Sequence, residues 1–213
     1  MKTRKFLIAG GNSTALISEC CENREDTSKR LLEEVEQVGF ISENKLEMMG
    51  GELCINGTLA LASTLGKKGI LYTSGIEEKI EYTNREGLTT IAIPQNYKKQ
   101  DNIILFNGIG FICLPKEQES QIKKEFLGNL STKYNLPAFG AIFYEQDRIT
   151  PYVYVQSVDS YVKETACGSG SIAYSLFSGF KTIIQPTNKT ININIKKDKI
   201  FITAEVKEET WNQ

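Results

Sequence analysis

Two segments half a chain apart share one pattern. Cys54-Ile-Asn-Gly-Thr-Leu-Ala and Cys167-Gly-Ser-Gly-Ser-Ile-Ala both run cysteine, any residue, polar, glycine, hydroxyl, aliphatic, alanine, with the cysteines 113 positions apart in a chain of 213. Internal similarity at half-chain spacing predicts a duplicated architecture, two α/β halves facing each other. The competing explanation is that small residues recur at helix starts by composition alone. Each segment reads as a small-residue helix, one closed by Gly66 and the other by Gly179.

A helix start exposes unpaired backbone N–H groups and carries partial positive charge. Glycine and small hydroxyl residues there let an anion approach the backbone. A cysteine at that position is expected to be held as thiolate, its acidity raised toward neutrality. Two such starts aimed at one cleft suit a carboxylate gripped by amides with a sulfur on each side. One thiolate then removes the proton from the adjacent carbon and the other thiol returns one on the opposite face. No cofactor and no metal are needed for that chemistry.

The rest of the chain fills in an α+β pattern. Strands are expected at 5–17 (turning at Gly10-Gly11-Asn12), 45–49, 70–74, 79–83, 88–93, 103–114, 140–145 and 152–156, and a hairpin at 191–195 and 200–206. Helices are expected at 26–37, capped by Asp26 or Thr27, and at 117–126. The polar stretch 95–101 is the expected junction between lobes 1–97 and 98–213, with the last strand free to return to the first lobe.

Composition removes several classes. There is no histidine, so Ser-His-Asp and Cys-His pairs and His-ligated metal sites are excluded. Basic and acidic residues number 25 and 26, which leaves no electrostatic footprint for nucleic acid or an anionic membrane. The apolar stretch after Lys5 fails at Asn12-Ser13-Thr14, too short for a secretory signal. Five cysteines (20, 21, 54, 113 and 167) lack metal-type clustering, which fits reduced thiols and a cytoplasmic location. Cys20-Cys21 reads as surface or helix packing and Cys113 as core.

Three segments resemble the diaminopimelate epimerase type of cofactor-independent amino-acid racemase. They are Gly11-Asn12-Ser-Thr-Ala-Leu-Ile, Gly50-Gly-Glu-Leu-Cys-Ile-Asn-Gly57 and Glu164-Thr-Ala-Cys-Gly-Ser-Gly170. Glu36-Gln-Val-Gly-Phe40 and Pro151–Val155 are similar to the histidine racemase branch serving staphylopine-type metallophore pathways. The resemblance implies two pseudo-symmetric lobes, each a curved, mostly antiparallel sheet or barrel around a central helix. It implies Cys54 and Cys167 as the acid–base pair and an amino acid as the small-molecule partner, with the protein a monomer or homodimer. It also implies that Asn12, Ile55, Asn56, Gly168 and Ser169 hold the substrate, with Glu52 and Glu164 as candidates for its ammonium. Taken alone, Asn12 also reads as a turn residue, and both glutamates as helix-start acids.

Some positions depart from the family pattern. Ile55 stands where the family has glycine, no basic residue follows Asn56, and Val158–Lys163 contains no arginine. A second substrate carboxylate would lack partners, so diaminopimelate is disfavoured. Three other readings remain open: a phenazine-biosynthesis-like isomerase working through an acid, a thiol redox sensor, and a catalytically silent amino-acid-binding protein.

Overall fold

The computed structural model describes residues 2–18 and 23–211; Cys20 and Cys21 lie outside the described residues. The first half runs β1 (Lys2–Ile8), β2 (Gly11–Ser18), α1 (Arg24–Leu31), β3 (Gln37–Ser42), β4 (Lys45–Met48), α2 (Ile55–Thr64), β5 (Lys68–Thr73), β6 (Ile76–Arg85) and β7 (Leu88–Pro94). The second half starts with β8 (Tyr97–Gln100), β9 (Ile103–Phe106), β10 (Ile109–Pro115), a 3-10 turn (Lys116–Gln121), α3 (Lys124–Tyr134), β11 (Ala138–Glu145) and β12 (Arg148–Val155). It ends with β13 (Ser160–Lys163), α4 (Gly168–Ser178), β14 (Thr182–Ile184), β15 (Thr190–Lys196) and β16 (Lys199–Glu209).

From β1 and from β9 the halves follow one plan. A hairpin leads through an outer helix to a parallel strand, and the next hairpin partner leads through a central helix to another parallel strand. Strands β1 to β7 with β16 close into an eight-stranded barrel, because β16 pairs with β7 on one edge and β1 on the other. The remaining strands continue through β15 in the order β15-β14-β12-β11-β10-β9-β8. The fold is the α+β, barrel-and-central-helix class expected from the sequence.

The central helices look alike because each is enclosed by sheet. α2 packs against β1, β2, β3, β4, β6, β7 and β16, so it is surrounded by sheet, and Ile55 to Ala62 are all buried. A helix enclosed on every side takes apolar and small residues all round rather than an amphipathic stripe. α4 sits likewise against β9, β10, β11 and β15, and Gly168 to Ser175 are buried. The outer helices cover the backs of the sheets: Leu31 with Ala15, Ile17, Val38 and Phe40, and Leu127 with Ile112, Phe139 and Phe143.

Several boundaries differ from expectation. The 26–37 helix stops at Leu31 and is capped by Asn23, whose Oδ1 accepts the Asp26 N–H at 3.1 Å; Gln37 already opens β3. The 117–126 helix resolves into the 3-10 turn and then α3, which ends on Asn135 at φ 52°. Leu127, Leu130 and Tyr134, three and four apart, pack α3 on the sheet, so tertiary burial selects the later register. The run 103–114 is a hairpin, broken at Asn107-Gly108 where Gly108 has φ 94°. The junction 95–101 contains β8, paired with β9.

Candidate active site

The two helix starts meet. Cys54 is the N-cap of α2 and Cys167 the N-cap of α4, and each sulfur accepts an N–H three residues on, from Gly57 and Gly170, at 3.2 Å. The first turns interlock reciprocally. Ile55 N–H donates to Ser169 Oγ at 3.3 Å, and Gly168 N–H donates to Asn56 Oδ1 at 2.9 Å. Asn56 Nδ2 also donates to the carbonyl of Ala166 at 3.0 Å. The approach is close enough that a Cβ on Gly168 would fall 2.5 Å from Ile55 Cγ2. Of the four amides expected to face a carboxylate, those of Ile55 and Gly168 are thus engaged across the helix pair.

Both sulfurs line one cavity, which encloses about 450 Å³ of non-atom space, part of it open to solvent. Ile109, Phe111, Met49, Val153, Val155 and Val162 form apolar walls; Asn56, Ser169 and three carboxyls (Glu36, Glu52 and Glu164) supply polarity. No lysine or arginine is among the lining residues.

Sequence reasoning assigned Glu52 and Glu164 to the site, whereas Glu36 and Gln37 were noted only as part of a family-like segment. Gln37 Oε1 accepts from the Cys54 thiol at 3.1 Å, and its Nε2 donates to Glu164 Oε1. The signal was present in the strand-like run Gln37-Val-Gly-Phe-Ile, but a helix drawn through Gln37 hid which way it faces. Asn12 is fully buried behind the cavity wall. It donates to Glu36 Oε2 at 3.2 Å and Glu164 Oε1 at 3.5 Å, and so reaches the site through those acids. Glu36 also accepts from the Thr165 N–H at 3.1 Å and the Thr165 hydroxyl.

Burial sets the electrostatics. It raises Glu164 to about 8, aided by the charge of Glu36, and Glu52 to about 7 against the N–H of Gly50. Glu36 is also raised by burial, opposed by its bonds to Thr165 and Ser13. The expectation of helix-stabilised thiolates does not hold in this enclosed site. Burial pushes Cys54 and Cys167 well above the usual thiol range, and nearby carboxylates add to it, outweighing the backbone N–H groups that face the sulfurs. Cys113, in the apolar strand β10, is raised to about 12 by burial and is a core residue. Among the described residues no His/Cys/Asp/Glu cluster is arranged to hold a metal, and no helix is long and apolar enough to cross a membrane.

No family model matches the chain. It is 27% and 28% identical to the histidine racemases of two Fusobacterium nucleatum subsp. nucleatum strains, ATCC 23726 and ATCC 25586. Those similarities cover 92% of this chain and 90% and 89% of theirs. The fold matches a putative phenazine biosynthesis PhzC/PhzF protein of Clostridium difficile (TM-score 0.57, 14% identity, 99% and 100% of the chains). It also matches a PhzF family protein of Enterococcus faecalis (TM-score 0.58, 13% identity, 98% of each). The sequence likeness is thus to proteins named histidine racemases, and the fold is shared with PhzF-type proteins.

Proposed function

We propose that this protein is an isomerase that racemises an amino acid, with histidine the preferred substrate, by exchanging the Cα proton between Cys54 and Cys167. The observation that carries the reading is the shared cavity. Two cysteines at matching caps of facing helices line one cavity. The lobes are 1–97 and 98–213, with the last strand in the first lobe, and no cofactor takes part.

One sulfur, as thiolate, removes the Cα proton; the other, as thiol, supplies a proton to the opposite face, and the roles reverse for the other enantiomer. The obstacle is the weak acidity of Cα. The substrate carboxylate gains negative charge as the proton leaves, and the electropositive first turns of α2 and α4, with Asn56 and Ser169, face that charge. Ile55 and Gly168 set the helix spacing that makes room for it, and Asn12 steadies Glu36 and Glu164. Glu52 and Glu164 receive the ammonium. An ammonium entering a cavity with three carboxyls and no lining cation also lowers the thiol pKa values.

The preference for histidine is supported by the two relatives and by the lining, which offers carboxyls to an imidazole N–H and gives a second substrate carboxylate no partner. The thiols favour this reading over a phenazine-biosynthesis-like isomerase that works through an acid.

The test is Cα proton exchange in D2O, followed by NMR for a panel of L- and D-amino acids with the reduced protein. Deuterium should enter histidine fastest, and Cys54→Ala or Cys167→Ala should cut exchange at least about a hundredfold. Exchange that survives both substitutions would sink the thiol mechanism. A thermal shift with ligand and no isotope uptake would point to a silent binder, and a peroxide-dependent loss of two protons without exchange to a redox sensor.

A further inference from the structure

Each cysteine that starts a central helix is braced by buried side chains of its own half. The Thr58 hydroxyl donates to the Cys54 carbonyl at 2.7 Å and is bonded to Thr73 Oγ1 at 3.0 Å. The Ser171 hydroxyl donates to the Cys167 carbonyl at 2.6 Å and accepts from Gln185 Nε2 at 2.9 Å. Thr73 ends β5 and Gln185 directly follows β14, the parallel strands that come after α2 and α4, so the two braces hold matching places. The second brace reaches further. Gln185 Oε1 also accepts the Cys167 N–H at 2.9 Å, and Gln185 Nε2 donates to the Ile183 carbonyl at 3.1 Å as well. Gln185, Thr58 and Ser171 are fully buried, and none of the four bracing residues lines the cavity.

A buried amide must find hydrogen-bond partners, and Gln185 spends two of its three bonds on Cys167 or on the hydroxyl that holds it. Resting on the two-thiol reading above, we infer that Gln185 is a positioning residue for Cys167. It holds the N–H of that cysteine directly and the carbonyl through Ser171, which sets the direction of the Cα–Cβ bond. The Gly170 N–H then fixes the sulfur on that bond. Thr58, backed by Thr73, does the same for Cys54 through its carbonyl. Gln185 thus acts through Cys167 and not on the substrate. Its effect is large because a reacting group displaced by about 1 Å costs about a hundredfold in rate.

Proton removal and proton return are separate steps on separate sulfurs, so a loosened Cys167 affects the two enantiomers differently. The enantiomer deprotonated by Cys167 is held back at removal of the Cα proton. Its mirror image, deprotonated by Cys54, is held back at the return of a proton. Deuterium at Cα slows the first step and does little to the second.

The test follows inversion by circular dichroism for both enantiomers of histidine, or of whichever amino acid of the panel exchanges fastest, with hydrogen or deuterium at Cα. Gln185→Met should lower kcat in both directions at least about tenfold with KM within about threefold. The isotope effects of the two enantiomers should also separate, and Thr58→Val should separate them in the opposite sense. Gln185→Glu, which keeps an acceptor for the Cys167 N–H, should recover part of the rate. Ser171→Ala removes one hydroxyl and should give a weaker form of the Gln185→Met result, so it decides the matter where the methionine variant does not fold. Unchanged kcat, or isotope effects no further apart than in the unmodified protein, overturns the inference. If that happens while Cys54→Ala and Cys167→Ala both lose inversion, only this inference fails. Undiminished inversion in both cysteine variants removes the two-thiol reading and this inference with it.

Discussion

Ile55 and Gly168 form a size-matched pair. The isoleucine is fully buried and fills the space that a side chain at 168 would need; a Cβ there would also sit 3.0 Å from Asn56 Oδ1. The departure from glycine at 55 is thus compensated by glycine across the helix pair rather than left as a clash. Gly168→Ala should destabilise the fold by about 1–3 kcal/mol through overpacking, seen as a lower urea midpoint. Adding Ile55→Ala should restore part of that loss. Strict additivity of the two changes would mean that the residues do not act on each other.

At the scale of elements, what matters is how two buried helices start. A helix N-terminus inside a protein needs partners for its first N–H groups, and α2 and α4 supply one each to the other. Asn56 holds more of this joint than Ser169, since it accepts from Gly168 at 2.9 Å and also donates to Ala166, whereas Ser169 accepts from Ile55 at 3.3 Å. Asn56→Ala should cost about 1–3 kcal/mol, because it leaves a buried N–H unpaired. Ser169→Ala should cost roughly half as much or less. Denaturant unfolding of both variants checks the order, and a larger loss for Ser169→Ala would contradict it. The two helix starts at the cysteines were readable beforehand from the repeated segment, and each sulfur caps its helix through the N–H of Gly57 or Gly170. The reciprocal bonds were not, because they join residues more than a hundred positions apart.

For the whole molecule, the enclosed acids couple folding to pH. Glu52 and Glu164 are raised to about 7 and about 8 from an ordinary value near 4.5, with burial the leading cause in both. A carboxyl whose folded pKa is raised binds more protons folded than unfolded. Its stabilising contribution is complete below about 4.5 and is lost as pH climbs through the folded value. The melting temperature of the ligand-free protein should therefore fall between pH 5 and pH 8.5, and Glu164→Gln should flatten the fall. A melting temperature that rises across that interval would contradict the enclosed-acid picture. An ammonium-bearing ligand should stabilise the protein most at the alkaline end, where the carboxylates are charged.

The sequence by itself determined the duplicated helix starts at Cys54 and Cys167, most strands and the closing hairpin of β15 and β16. Each of these rests on local periodicity, glycine punctuation or internal repetition, which a chain carries before it folds. Only the tertiary structure decided that Glu36 and Gln37 turn into the cavity, that Asn12 stands behind it, and that β16 closes the barrel against β1. It also reversed the expected acidity of the thiols. A helix start stabilises a thiolate through a nearby N–H that the sequence reveals. Desolvation is set by every segment that closes over the sulfur, and here those segments come from β3, β10, β12 and β13 as well as from the two helices.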